Sequence, residues 1–176
     1  TAEIVGPPGP DGQPVITRLE LGRDFTPLAA GGSGAFDMPL AFAGYGITAP
    51  AEKYDDYAPL AATPGGVKGQ AAIVLRQEPQ KDDPHSVFDG NQASQHAALA
   101  RKVANASEHE VGGLVFCNDA DADGDALMAF TRAGEGSEKR TMPVLHVRRA
   151  VIDDVVRRAL GHGLGEIQTG IDEALE

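Results

Sequence analysis

The fold is decided by LAFAGYGITAP at residues 40–50 and VKGQAAIVLR at residues 67–76. The first stretch predicts a strand that ends in a turn, because glycines and a proline interrupt its apolar residues. The second begins with Val67, Lys68 and Gly69 and continues as a short apolar strand, Ala71–Arg76, which is typical of a strand buried on both faces. Such strands belong to sheets covered by helices, so the chain is predicted to be an α/β protein.

The residues that follow predict a β-α-β unit. A polar loop, Gln77–Asn91, leads into a helix from about Gln92 to Glu110, and two glycines end that helix. Leu114–Cys117 is then a second buried strand. The helix is predicted to pack on the sheet through a narrow stripe of mostly small residues: Leu99, Ala100, Val103, Ala104, Ser107 and Val111.

Further patterns predict the remaining elements. MPVLHV at residues 142–147 predicts a strand, and Arg149–Leu160 predicts an amphipathic helix with one apolar face. A last amphipathic helix is predicted over residues 164–175. At the start of the chain, residues 1–14 are rich in proline and glycine and predict a turn or an extended lead-in. The alternating residues Val15–Leu21 predict the strand that follows it.

A glycine-rich joint, Ala29–Gly34, follows the first predicted strand. The predicted organisation is therefore a lead-in strand and joint over residues 1–34, and one module with C-terminal helices over residues 35–176. The chain has 176 residues, which is about the length of a single domain.

This order of elements resembles the protease-associated domain, in the form carried by secreted zinc aminopeptidases of the glutamate-carboxypeptidase-like group. The resemblance rests on the two stretches quoted above, on YDDY at residues 54–57, on GGLVF at residues 112–116 and on MPVLHV. It implies a swivelling β/β/α fold, in which a small, sandwich-like mixed β-sheet is flanked by helices. Two loops depart from the family pattern, since the turn at residues 61–66 is long and the acidic loop at residues 119–125 is unusually regular.

The resemblance also implies an accessory role without catalysis. In such enzymes this domain covers or shapes the peptidase cleft and contacts peptide or protein ligands, whereas zinc belongs to a catalytic domain that is expected outside these residues. It further implies a secreted, periplasmic or cell-envelope location. The alternative functions are a free-standing peptide-binding or sorting module of the same fold, and a calcium-binding interaction domain that uses the loop Asp119–Asp125.

No catalytic residue is predicted within the chain. A zinc peptidase needs histidine and carboxylate ligands at fixed spacings, and the five histidines provide no such motif. His96 and His109 are predicted to be solvated helix residues, and His146 a core or edge residue of its strand. The single cysteine, Cys117, ends an apolar run and is predicted to be buried.

The charge of the chain excludes two classes of partner. The formal net charge is −11, so phosphate groups of nucleic acids and of anionic membranes would be repelled. No apolar run approaches the roughly 20 residues that span a bilayer. We therefore expect neither a nucleic-acid partner nor a membrane span.

The acidic loop at residues 119–125 is the first candidate site. Carboxylates at alternate positions of a tight turn are typical calcium ligands. An EF-hand is excluded, because Phe130 occupies the twelfth position, where a glutamate belongs. An exposed acidic loop and a looser calcium site remain the alternatives. The candidate ligands are the alternate aspartates: Asp119, Asp121, Asp123 and Asp125.

The loop Gln77–Gln92 is the second candidate site and the predicted contact surface. Loops longer than about 12 residues are often functional, and in the resembling peptidases this side of the module approaches the active-site cleft. The turn Tyr54–Tyr57 is instead predicted to be structural, with packed rings and with carboxylates that cap backbone N–H groups. The candidate ligand-contact residues are Lys81, Asp82, His85 and Phe88.

Overall fold

The computed structural model of the chain describes residues 1–130 and 141–175. The strands in these residues are β1 (Ala2–Pro8), β2 (Pro14–Leu19), β3 (Phe25–Pro27), β4 (Leu40–Phe42), β5 (Thr48–Ala49), β6 (Tyr54–Asp55), β7 (Ala71–Leu75), β8 (Gly113–Cys117) and β9 (Val144–Val147). The α-helices are α1 (Ala58–Ala61), α2 (Leu99–Glu108), α3 (Arg149–Leu160) and α4 (Leu164–Ala174). Among the described residues, no helix is both long enough and apolar enough to cross a bilayer.

Five strands form a central mixed sheet in the order β3-β9-β8-β7-β4. β4, β7, β8 and β9 run parallel to one another, and β3 runs antiparallel to β9. β7 and β8 pair in register from Ala71 opposite Gly113 to Leu75 opposite Cys117, so their carboxyl ends lie side by side. The chain is thus a mixed α/β protein, as the sequence predicts.

The side chains of the central strands alternate between two apolar cores. Leu75 and Val115 belong to the core that includes residues of α3 and α4, whereas Val74 and Phe116 belong to the core that includes residues of α2. Every residue of β7 and β8 is buried, Cys117 included, which confirms the sequence prediction for both strands. Helices on both faces explain why these strands are continuously apolar.

The helix predicted from Gln92 begins later in the structure. Ser94 caps a short 3₁₀ turn over Gln95–Ala97 by accepting a hydrogen bond from the backbone N–H of His96, and the extended backbone of Ala98 separates this turn from α2.

The predicted stripe of small residues is also not the buried face of α2. Leu99 and Val103 are only partly buried, whereas the buried residues of the helix are Lys102, Asn105 and Ala106. A lysine and an asparagine can point inward here because backbone carbonyls accept their hydrogen bonds.

α3 has the bounds that the sequence predicts. At its start, the carboxylate of Asp125 accepts hydrogen bonds from the backbone N–H groups of Arg149 at 2.8 Å and Ala150 at 3.1 Å, which satisfies two otherwise unpaired donors. At its end, Gly161 adopts a left-handed conformation with φ of 81°. The two predicted acid–base pairs form on its surface, Asp153–Arg157 at 3.1 Å and Asp154–Arg158 at 2.6 Å.

The first residues of the chain form a β-hairpin, in which β1 lies where a turn or an extended lead-in was predicted and β2 lies at the strand predicted over Val15–Leu21. β1 pairs antiparallel with β2, with Ala2 opposite Leu19. Ile4 and Leu19 of this hairpin, and Phe25 of β3, lie in the same core as the central sheet. Residues of the predicted lead-in, 1–34, therefore pack with the rest of the module.

Candidate functional site

A polar crevice of about 460 Å³ lies at the carboxyl ends of β7 and β8. In open α/β sheets, the loops at the carboxyl ends of parallel strands are where ligands bind. The crevice is therefore the candidate functional site. Its polar lining comes from the segments that follow the two strands: Arg76, Gln77 and Lys81 after β7, and Asn118, Asp121 and Asp123 after β8.

Arg76 is a cation of the crevice that forms no ion pair with the described residues. Its Nη1 donates a hydrogen bond to Oδ1 of Asn118 at 3.2 Å. Its Nε is buried and has no hydrogen-bond partner among the described residues. Within that part of the chain, the ion pairs of the crevice all involve Lys81, and none involves Arg76. The guanidinium therefore keeps hydrogen-bonding capacity that the described residues do not use.

The positive charge of Lys81 is balanced by two carboxylates. Its ammonium lies 2.8 Å from a carboxylate oxygen of Asp121 and also donates to Asp82. The hydrogen bonds to Asp121 and Asp82 raise the pKa of Lys81 above its usual value, so the side chain is charged at neutral pH. Asp121 also accepts a hydrogen bond from Gln168 of α4 at 3.0 Å, which ties this wall of the crevice to the last helix.

Two buried ionisable groups, Lys102 and Asp119, hold the backbone that carries Arg76. The ammonium of Lys102, which is fully buried, donates to the carbonyl of Leu75 at 2.8 Å and to the carbonyl of Gln77. The backbone N–H of Gln77 donates to Oδ1 of Asp119 at 3.2 Å. Burial lowers the pKa of Lys102 to about 7, and it raises the pKa of Asp119. The position of Arg76 thus depends on polar groups that solvent does not reach.

His146 lies near Arg76 and is completely buried. Its Nδ1 accepts a hydrogen bond from the backbone N–H of Met128 at 2.9 Å, whereas its Nε2 has no partner among the described residues. Burial, and then the positive charge of Arg76, lower the pKa of His146 to about 4. The prediction of a core or edge histidine is therefore confirmed, and the ring is neutral at pH 7.

The four aspartates predicted as calcium ligands have different surroundings. Asp119 binds the backbone of Gln77, Asp121 binds Lys81 and Gln168, and Asp125 caps α3. Asp123 is exposed and lines the crevice. The described residues contain no group of three or more histidines, cysteines or carboxylates placed to hold a metal ion. Calcium binding by this loop stays a prediction.

The four predicted contact residues also differ in their exposure to solvent. Lys81 lines the crevice, and Asp82 and His85 are exposed on the same loop. Phe88 is only 1% exposed and packs edge-on against Tyr54, with ring centroids 5.3 Å apart. The prediction of a surface role for Phe88 is therefore wrong, because its apolar ring is more stable in the core.

Two predictions of solvated histidines are also wrong. His96 is 7% exposed and lies edge-on to Phe88, with ring centroids 5.9 Å apart. The His109 ring is half-buried, stacks on Tyr57 at 4.3 Å between centroids, and lies 3.0 Å from the hydroxyl of Thr48. Aromatic neighbours outside α2 pack against both rings, and the periodicity of the helix does not reveal those neighbours.

The sequence prediction of the site missed Arg76, Asn118 and Lys102. Arg76 and Asn118 directly follow the two strands that were recognised, so the rule that ligands bind at the carboxyl ends of parallel strands would have selected them. Lys102 had no comparable signal, because a lysine in a helix is usually on the surface.

Comparison with known proteins identifies no family for this chain. No protein-family model matches it, and no curated protein matches it.

Proposed function

We propose that this chain is a non-catalytic module of the protease-associated type, which contacts peptide or protein ligands through the crevice at the ends of β7 and β8. The proposal rests on Arg76, because its guanidinium lines the crevice and has no carboxylate partner among the described residues. A partly buried charge without a partner costs stability, so an opposite charge brought by a ligand would stabilise Arg76.

The order of elements supports the protease-associated type. The parallel strands β7 and β8 of the mixed sheet are joined through α2, and β9 and α3 follow them along the chain. This order agrees with the element order on which the resemblance rests. In this proposal the module has a swivelling β/β/α fold and covers or shapes the cleft of a linked zinc aminopeptidase. That peptidase domain holds the zinc, and the whole protein is secreted or located in the periplasm or cell envelope.

Filling the crevice tests the proposed contact surface. The chain would be immobilised and exposed to a pool of random acetylated tetrapeptides, and retained peptide would be quantified by mass spectrometry. Ala122 lines the crevice, so Ala122→Trp should reduce retention at least about fivefold, which corresponds to roughly 1 kcal/mol. Ala100 is exposed on α2, so Ala100→Trp is the matched control and should retain as much peptide as the wild type. Equal retention by wild type and Ala122→Trp would contradict the proposal.

The size of the native protein separates the linked module from the free-standing alternative. An antibody raised against this chain would be used to probe cell and secreted fractions of the source organism. A single band far above 18.3 kDa supports a module joined to a peptidase. A band near 18.3 kDa shows that the module works alone, as a peptide-binding or sorting protein.

A further inference from the structure

Arg76, Asn118 and His146 lie on one face of the central sheet, near its carboxyl edge. Val74 pairs with Phe116, and Phe116 pairs with His146. Arg76 and Asn118 each follow one of these paired residues by two positions, and side chains two positions apart point to the same face. The three polar side chains therefore form one group, of which Arg76 and Asn118 line the crevice.

His146 offers this group an N–H donor. Because its Nδ1 accepts a hydrogen bond from the backbone N–H of Met128, the hydrogen of the neutral ring lies on Nε2. The ring is fully buried, and Nε2 has no acceptor among the described residues. His146 is thus a buried donor whose hydrogen bond is not made within that part of the chain.

Arg76 offers a second donor of the same kind. Its Nε–H is buried and lacks an acceptor in residues 1–130 and 141–175. The amide of Asn118 is held in place by hydrogen bonds from its Nδ2 to Asp125 and to Ala126, both at 3.2 Å, and its oxygen is already bound by Arg76. Buried donors are nearly always paired in folded proteins, so an acceptor oxygen next to the guanidinium of Arg76, which lines the crevice, would stabilise the group.

We infer that the crevice binds a carboxylate of a peptide ligand, held by the guanidinium of Arg76, an inference that rests on the proposed function. A carboxylate brings a negative charge and two acceptor oxygens, which fit the planar guanidinium through parallel hydrogen bonds. Lys81 does not compete for this carboxylate, because Asp82 and Asp121 already bind its ammonium. The carboxylate is either the C-terminus of the peptide or the side chain of an acidic residue.

Three peptide pools on the immobilised chain distinguish these sources. The first contains acetylated tetrapeptides with a free C-terminus and no aspartate or glutamate. The second contains the same peptides with an amidated C-terminus, and the third contains amidated peptides with one glutamate. The experiment is done at roughly 0.15 M salt, because this concentration screens long-range repulsion by the net charge of −11. The pool that carries the recognised carboxylate should be retained about tenfold more than the second pool.

Variants of Arg76 locate the bound carboxylate. Arg76→Gln should remove the difference between the pools, and Arg76→Lys should keep only part of it, since an ammonium lacks the planar pair of donors. Arg101→Gln is the matched control, because Arg101 is an exposed arginine on α2 and its loss should change nothing. The comparison of pools on the wild-type chain gives an answer even if an Arg76 variant fails to fold.

The outcomes separate this inference from the proposed function. Equal retention of all pools by the wild type, lost in Ala122→Trp, would overturn carboxylate recognition but leave the crevice as a peptide-contact surface. A carboxylate preference that survives Arg76→Gln would also overturn the inference, because the carboxylate would then bind elsewhere. If the wild type retains no pool above the level of Ala122→Trp, both the inference and the proposed function are overturned.

Discussion

Asp56 shows how a single side chain can hold a turn together. Its Oδ2 accepts hydrogen bonds from the backbone N–H groups of Tyr45 at 3.1 Å and Ile47 at 2.9 Å, and its Oδ1 accepts one from the hydroxyl of Tyr54 at 2.6 Å. The neighbouring Asp55 accepts a hydrogen bond from the N–H of Tyr57 at 2.9 Å. The predicted role of this turn, packed rings and capping carboxylates, is therefore confirmed.

Removal of that carboxylate should be costly. Asp56→Ala leaves two backbone donors and a tyrosine hydroxyl without their partner, so we expect the free energy of unfolding to fall by about 3 kcal/mol. Asp56→Asn keeps one carbonyl oxygen for the backbone donors and should lose about half as much. Denaturant unfolding of both variants measures these differences. Asp82→Ala, at an exposed position, is the control and should change stability by no more than about 0.5 kcal/mol.

At the scale of elements, the start of α3 depends on a residue more than twenty positions away. Because Asp125 accepts hydrogen bonds from the N–H groups of Arg149 and Ala150, and one from Asn118, Asp125→Ala should lower the free energy of unfolding by at least about 1 kcal/mol. Denaturant unfolding, with Asp123→Ala as the matched control from the same loop, measures the effect. If the two variants lose the same stability, the cap at α3 contributes nothing specific.

The acidic loop also allows a test of the calcium prediction. A Ca²⁺ ion that binds only the folded chain stabilises it and so raises its melting temperature. At a Ca²⁺ concentration one hundred times the dissociation constant, the free energy of unfolding rises by about 2.7 kcal/mol. The double variant Asp121→Asn with Asp123→Asn should abolish that rise, and Mg²⁺ at the same concentration is the control. A melting temperature that does not respond to millimolar Ca²⁺ would exclude the site in favour of an acidic loop without calcium.

Elements with a strong local pattern could be predicted from the sequence, and elements set by distant contacts could not. α3 was predicted with correct bounds, because its apolar face repeats regularly and Gly161 ends it. β2 was predicted, whereas β1 and its pairing with β2 were missed, because the prolines and glycines of residues 6–14 obscure the alternation. In the site, Lys81 was predicted from the composition of its loop. Predicting Arg76 would have required the position of its strand in the sheet, and predicting Lys102 would have required the carbonyls that it binds.

At the scale of the whole molecule, one buried lysine connects the crevice to the core. Lys102 extends from α2 to the carbonyls that flank Arg76, and it lies over the ring of Tyr45, 5.7 Å from the ring centroid. The hydroxyl of Tyr45 in turn donates to Asp172 of α4 at 2.8 Å. α2, the end of β7 and α4 thus share one buried polar network, so a change in the charge of Lys102 should be visible in the stability of the entire fold.

The stability of the fold should therefore increase as the pH rises from 7 to 10. Burial lowers the pKa of Lys102 from 10.5 to about 7, so between these values the unfolded chain binds a proton that the folded chain has released. This proton stabilises the unfolded chain, and raising the pH through this range removes it. The free energy of unfolding therefore rises by up to about 1.4 kcal/mol per pH unit. Lys102→Met lacks this proton, so its free energy of unfolding should rise less than that of the wild type. Lys68 is exposed, so Lys68→Met should follow the wild type, and a pH dependence shared by all three chains would show that Lys102 stays charged in the core.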